Sequence, residues 1–283
     1  MKQSNQVELK HITVTPPTLG EVQKREAIIK DVSLVIHEGE WISLLGCNGS
    51  GKSTVAKVAA GFRVAGISGQ VLRNSKTAAK GKPIPIVMQQ PEAAMIGATP
   101  LEDIVVMLEQ NEQEAANIRF EAEYALQRVG MGERVHQPIL TLSGGQKQLV
   151  AIAGCLALKA PMLVLDEVTA MLDPEAASTV LAQARSLHQS GITVMWITQK
   201  LEELQEGDRI IAMDAGSIVY DGGVEAWFAR TAAGAKDSFC EQLGLEAPYC
   251  AQVAWELEEQ GVKLLPFPFT AKMLAEAVKR YAR

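Results

Sequence analysis

Gly46-Cys47-Asn48-Gly49-Ser50-Gly51-Lys52-Ser53-Thr54 is the stretch that decides how this chain folds. It has the spacing GxxxxGK[ST], with the apolar run Trp41 to Leu45 before it and a helical pattern, Ser53 to Phe62, after it. Strand, glycine loop and helix in that order turn successive backbone N–H groups inward, and the helix N-terminus adds partial positive charge. The product is a cradle for phosphate oxygens. Gly46, Asn48, Gly49, Ser50, Gly51, Lys52, Ser53 and Thr54 are therefore the expected nucleotide-binding residues. Lys52 would supply a cation to the β- and γ-phosphates of ATP, and the Ser53 hydroxyl would ligate Mg²⁺.

Outward from the loop, short apolar runs bounded by turns predict further strands: Val7 to Thr15, Ile28 to Ile36, Ile84 to Met88, Met162 to Leu165, Val194 to Thr198 and Arg209 to Asp214. The run from Met162 delivers two carboxylates at its end. Asp166 is expected to hold the Mg²⁺ shell and Glu167 to polarise the water that attacks the γ-phosphate. Charges interleaved with apolar residues predict a helix over Glu112 to Val129, in a helical layer at about 90–160. Near residue 235 the pattern changes. Pro248, Pro266 and Pro268 punctuate two amphipathic helices, Cys250 to Gln260 and Thr270 to Tyr281. The expected division is a nucleotide-binding domain over 1–235 and a small helical appendage over 236–283.

Bulk properties narrow the partners. The 283 residues are 47% hydrophobic and 21% charged, with a mean hydropathy of +0.06, as in an ordinary α/β protein. A net charge of −6 and a pI near 5.4 oppose a nucleic-acid partner, which needs clustered Lys and Arg. No apolar run approaches the roughly 20 residues of a membrane span. The start, Met1 to Lys10, lacks the apolar stretch of a signal peptide, so a cytoplasmic protein is expected. Cys47, Cys155, Cys240 and Cys250 have no CxxC spacing and read as free thiols.

Leu142-Ser143-Gly144-Gly145-Gln146, with Ser143 standing 23 residues before Asp166, resembles the signature of ABC ATPases, and the resemblance runs from residue 7 to about 230. It implies a P-loop NTPase fold of the ABC type with a helical subdomain and a C-terminal α-helical appendage. It also implies a head-to-tail dimer, in which ATP lies between the cradle of one subunit and Ser143, Gly144, Gly145 and Gln146 of the other. Ser143 can cap a helix there, leaving the N–H groups of Gly144 and Gly145 toward a γ-phosphate. Gln89 resembles the glutamine that senses Mg²⁺ and the γ-phosphate, which adds it to Ser53 and Asp166 as a metal-site residue. Met171-Leu172-Asp173-Pro174 resembles the loop through which the two sites communicate, with Asp173 its key residue.

A narrower resemblance is to the ATPases of energy-coupling factor transporters. It is carried by Gln89-Gln90-Pro91-Glu92, Gly97-Ala98-Thr99 with Glu102-Asp103, Thr169-Ala170-Met171-Leu172-Asp173-Pro174 and the C-terminal run. It implies an ATPase driving uptake of a vitamin or metal ion, on the inner face of the cell membrane. Its partners would be a second, often non-identical ATPase subunit, a transmembrane coupling protein and a substrate-binding membrane protein. The appendage would be of the dimerisation type, and Glu92, Glu102 and Asp103 would flank the docking surface, with at least one pairing with a partner arginine.

Four positions depart from the pattern: Pro16 where an aromatic stacks on adenine, Leu149 for arginine, Val168 for proline, and Gln199 for the switch histidine. Gln199 and Glu167, with Gln89, are the expected catalytic set. A neutral glutamine in the switch position makes slow turnover at this chain's own site an expectation. Three alternatives stand beside the reading. One is a nucleotide-binding regulatory subunit with weak hydrolysis of its own, and another is the ATPase of a conventional ABC transporter. The third, an ABC protein of translation or DNA repair, would need two cassettes or a coiled-coil insertion, and neither is present.

Overall fold

The computed structural model describes residues 4–17, 26–74, 82–111, 117–230 and 238–281. Strands β1 (Asn5–Val14), β2 (Ile29–His37) and β3 (Trp41–Leu45) precede the glycine loop, and helix α1 (Lys52–Ala60) follows it. Strands β4 (Ile67–Arg73) and β5 (Ile86–Val87) lead to helices α2 (Pro100–Gln110), α3 (Ile118–Arg128) and α4 (Gly144–Ala157). The chain then runs through β6 (Met162–Asp166), α5 (Pro174–Gln189), β7 (Thr193–Ile197), β8 (Arg209–Asp214) and β9 (Ser217–Gly223). It closes with α6 (Val224–Trp227), α7 (Phe239–Gln242), α8 (Tyr249–Glu259) and α9 (Ala271–Tyr281).

The strands form an antiparallel sheet of order β2-β1-β4 and a six-stranded sheet of order β5-β6-β7-β3-β8-β9, parallel except for its last strand. Strands β3, β6 and β7 are almost wholly apolar because both faces of a parallel sheet are covered. Alternate side chains serve different cores. Trp41, Leu163, Leu165, Val194 and Trp196 pack with α2, α3 and α4, whereas Ile42, Leu44, Met162, Val164, Met195 and Ile197 pack with α1, β1 and β2. Register pairs both Leu44 and Asp166 with Ile197, so β3, β6 and β7 end level at one edge. That carboxyl edge is where open α/β sheets bind ligands.

The helical layer differs in detail from its sequence expectation. The helix predicted from Glu112 starts at Ile118 within the described residues, and residues 112–116 lie outside them. An additional helix, α2, stands before it. Thr99 accepts from the Glu102 N–H and Pro100 occupies the first turn, a start signal of the capping-box kind that the periodicity reading missed. Strand β5 keeps only two residues of the expected run from Ile84 to Met88.

A third core joins the last helices to the sheet. Leu45, Ile210, Ala212, Tyr220, Trp227 and Phe228 pack with Cys240, Leu245, Ala251, Trp255 and Phe269. Arg230 donates to Glu241 and Glu259 and lies 4.5 Å over the Trp255 ring, which holds Glu241 down to about pH 2 as a carboxylate. The expected boundary at 235 falls in residues 231–237, outside the described residues.

Candidate nucleotide site

The loop after β3 is made by its backbone. Gly46, Gly49 and Gly51 take φ of 142°, 82° and 102°, values that side chains rarely tolerate. A Cβ on Gly46 would stand 2.3 Å from the Met213 carbonyl oxygen. Helix α1 begins with no side-chain cap and no acidic residue in its first turn, so no side chain answers its N-terminal dipole, and Lys52, Ser53 and Thr54 line the cleft. That arrangement fits a phosphate chain. Lys52, 5% exposed, donates from Nζ to the Gly46 and Cys47 carbonyls at 2.7 and 3.1 Å and stands 3.8 Å from Glu167 Oε1. Burial lowers its pKa, opposed by the charges of Glu167 and Asp166.

The opposite wall comes from β6 and β7. Asp166 is 6% exposed, and burial raises its pKa, opposed by the nearby Ser53 hydroxyl. Hydroxyl and carboxylate oxygens are the hard donors that Mg²⁺ takes, so this pair fits the cation once phosphate oxygens complete the shell. Glu167 has a left-handed backbone, φ 51°, and its N–H donates to the Ile197 carbonyl at 3.0 Å. Gln199 Nε2 donates to Glu167 Oε1 at 2.8 Å and to Asn48 Oδ1 at 2.9 Å, spanning from carboxylate to glycine loop. Gln89 lines the same cleft of about 320 Å³ as Lys52, Ser53, Asp166 and Glu167.

Ser143, Gly144, Gly145 and Gln146 do not line that cleft. Ser143 Oγ accepts from the Gln146 N–H while Gln146 Oε1 accepts from the Ser143 N–H, a reciprocal cap on α4. A Cβ on Gly144 would meet Leu172, and one on Gly145 would meet Ala176, each at 3.0 Å, so this helix start packs on the loop before α5. Asp173 in that loop caps α5 by accepting from the Ala176 N–H at 2.9 Å.

Sequence reading missed Gln148, one helical turn beyond the cap. Buried, it donates to the Met88 and Gln89 carbonyls at 3.2 and 2.9 Å and so ties α4 to the loop bearing Gln89. Leu149 and Val168, two of the departures, are buried in the core shared with the helical layer. Ile28 and Met88 line the cleft and Pro16 does not, while residues 18–25 lie outside the described residues. Asp103 accepts from the Ile96 and Gly97 N–H groups and Glu102 from that of Ala98, so both carboxylates already hold a turn, while Glu92 is exposed. Among the described residues, no helix is long and apolar enough to cross a membrane.

A glycine loop feeding an uncapped helix, opposed by two carboxylates at the end of a parallel strand, defines a P-loop nucleotide-binding cassette. The family described as "ABC transporter" matches residues 29–170. The Energy-coupling factor transporter ATP-binding protein EcfA1 of Geobacillus kaustophilus is 36% identical over 254 residues, covering 88% of this chain and 89% of the relative. EcfA of Methanosarcina acetivorans is 37% identical over 83% of this chain and 85% of its own length. Among solved structures, cbiO1 of Clostridium perfringens, part of the ABC transporter complex cbiONQ, has a TM-score of 0.63 at 26% identity, covering 77% of this chain and 88% of that one. The cassette MJ0796, in a dimeric post-hydrolysis state bound to ADP and Pi, has the same score and identity over 77% and 99%. This chain belongs to the ABC transporter family, among the energy-coupling factor transporter ATP-binding proteins. It binds nucleotide and is an ATPase subunit.

Proposed function

We propose that this chain drives uptake of a vitamin or metal ion, as one of two unequal ATPases seated on the inner face of the cell membrane. A transmembrane coupling protein and a substrate-binding membrane protein complete the proposed importer. The observation that carries the chemical reading is the meeting of Lys52, Asp166, Glu167 and Gln89 around one cleft, with Gln199 hydrogen-bonded to Glu167.

Ser53, Asp166 and Gln89 would hold Mg²⁺, which when bound would supply neutralisation of phosphate charge. Lys52 binds the phosphate oxygens from the loop side. Glu167 takes the proton of the attacking water as its oxygen bonds to the γ-phosphorus and the bond to the ADP oxygen breaks. Gln199 orients Glu167 through its amide, and its second hydrogen keeps Asn48 and the loop in register. Being neutral, it adds no charge to the γ-phosphate, so turnover here is slow. Ser143, Gly144, Gly145 and Gln146 serve the nucleotide on a partner subunit, for which a related ATPase with a switch histidine is the expected occupant. Leu140, 93% exposed, and Met171, 64% exposed, flank the signature and the Asp173 loop, bare apolar surface of the kind a dimer covers. Glu92 is the acidic residue proposed to pair with an arginine of the membrane partner.

The test is to purify the chain through its own tag from membranes and to disable each cradle lysine of the recovered complex in turn. Recovery of a second ATPase and membrane subunits, with most hydrolysis lost on disabling the partner's lysine, is the expected result. Recovery of this chain alone overturns the transporter reading, and equal losses overturn the unequal pair. Normal assembly of Glu92→Arg moves the docking surface elsewhere.

A further inference from the structure

Two loops leave the sheet side by side, residues 167–173 after β6 and 198–204 after β7, and each carries one member of the Glu167–Gln199 pair. Beneath them lies a carboxylate that the mechanism above does not use. Glu203 is only 7% exposed. Its Oε1 accepts from Thr169 Oγ1 at 2.5 Å and its Oε2 from Trp196 Nε1 at 2.8 Å. Its backbone carbonyl accepts from Arg185 Nη2 at 3.1 Å. Arg185 in turn forks onto both oxygens of Asp208, at 2.6 Å each, and lies 3.6 Å over the Trp41 ring, which stacks on Trp196. From the other side, Lys200 Nζ donates to the Thr169 carbonyl at 2.8 Å.

Thr169 stands two residues after Glu167, and both of its side bonds come from the loop of Gln199. A buried carboxylate costs several kcal/mol of desolvation, and an apolar pair of the same volume would stabilise at least as well. Stability alone therefore gives no reason for the arrangement. Geometry does. Glu167 occupies a left-handed conformation that a non-glycine residue keeps only where its surroundings over-determine it, and Val168 leaves the next φ unrestrained by any ring. The Thr169–Glu203 bond is the nearest side-chain hydrogen bond downstream of that strained residue.

We propose that Glu203 is a positioning residue for hydrolysis, which acts through Thr169 to hold the Glu167 loop against the Gln199 loop. The proposal rests on the reading of Glu167 as the proton acceptor. It explains why the two loops are joined by two bonds, Thr169 to Glu203 and Lys200 to Thr169, whose residues do not line the nucleotide cleft.

The test compares Thr169→Val and Glu203→Ala, which break the bond, with Thr169→Ser and Glu203→Gln, which keep it. A glutamine carbonyl still accepts from Trp196 while its amide donates to the threonine hydroxyl. ATPase rates and nucleotide binding are measured on the full-length chain with the subunits that co-purify with it, the partner's cradle lysine disabled so that the hydrolysis read is that of this chain's own cradle. The breaking variants are expected to lower kcat by roughly tenfold with KM and ATP affinity unchanged, the conservative variants to stay within about threefold, and the double variant to be no worse than either single. Where Glu203→Ala fails to fold, the Thr169 pair carries the test. Full kcat in Thr169→Val overturns the proposal, as does a parallel fall of kcat and nucleotide affinity. Glu167→Gln, assayed alongside, separates the two ideas: if it hydrolyses normally, the acceptor reading fails, and if it is dead while Thr169→Val is normal, only the positioning role fails.

Discussion

The two walls of the nucleotide cleft are built from different materials. The wall from β3 and α1 is backbone: glycines at positive φ, an uncapped helix start, and a lysine tethered to main-chain carbonyls. The wall from β6 and β7 is side chain upon side chain, the Asp166 and Glu167 carboxylates with Gln199 bonded to both Glu167 and Asn48. The first arrangement suits a ligand whose phosphate oxygens are alike in every substrate, and it leaves no room for a Cβ at Gly46 or Gly51. The second suits a reaction, because its groups can exchange protons and be retuned singly. Substitutions on the first wall should act on binding and those on the second on turnover.

The largest expected effect is on the backbone wall. Gly46→Ala would push a Cβ to 2.3 Å from the Met213 carbonyl at φ 142°, and it should abolish ATP binding and lower Tm. A variant that still binds nucleotide in equilibrium titration breaks the comparison. Lys52→Ala leaves the loop in place but removes its buried cation, and ATP affinity should fall by about a hundredfold or more.

On the other wall, Glu167→Gln keeps shape and hydrogen-bonding reach but cannot take a proton. Hydrolysis at this chain's own cradle should drop by about 10² to 10⁴ while ATP still binds, trapping a closed dimer visible by size-exclusion chromatography. Gln199→His adds a titratable group beside Glu167 and should raise turnover at this chain's own cradle by roughly tenfold. An unchanged rate would mean that glutamine already does all that the position allows. The smallest effect sharpens the contrast. Ser50 sits in the cradle, yet its buried hydroxyl has no protein partner, so Ser50→Ala leaves nothing newly unpaired and should change ATP affinity by less than about threefold.

The backbone wall was legible in the sequence because glycine, lysine and serine at fixed spacing have few other uses between a strand and a helix. Asp166 and Glu167 were legible only together with that loop, since acidic residues end many strands. Gln148, Thr169 and Glu203 were not legible, because their partners lie 59, 34 and 7 residues away and polar residues on helices and loops carry no periodic signal. The α2 helix was missed for a local reason. Its start is announced by Thr99 and Pro100, but Ile104 to Leu108 is one unbroken apolar run, which periodicity alone does not separate from a short strand. The C-terminal helices were foreseen as elements, yet composition gave no hint that Trp227, Phe228 and Trp255 would fuse them to β8 and β9.

The order of the parallel strands sets a ruler under all of this. Strand β7 lies between β6 and β3, so the residue that follows it, Thr198, stands one strand spacing of about 4.8 Å from the glycine loop on one side and from Glu167 on the other. Gln199 is thus the middle tooth of a three-tooth comb whose pitch no side-chain substitution can alter. A longer or shorter residue there changes how far the tooth reaches, never where it is rooted, so tuning of this ATPase at that position is restricted to reach and charge.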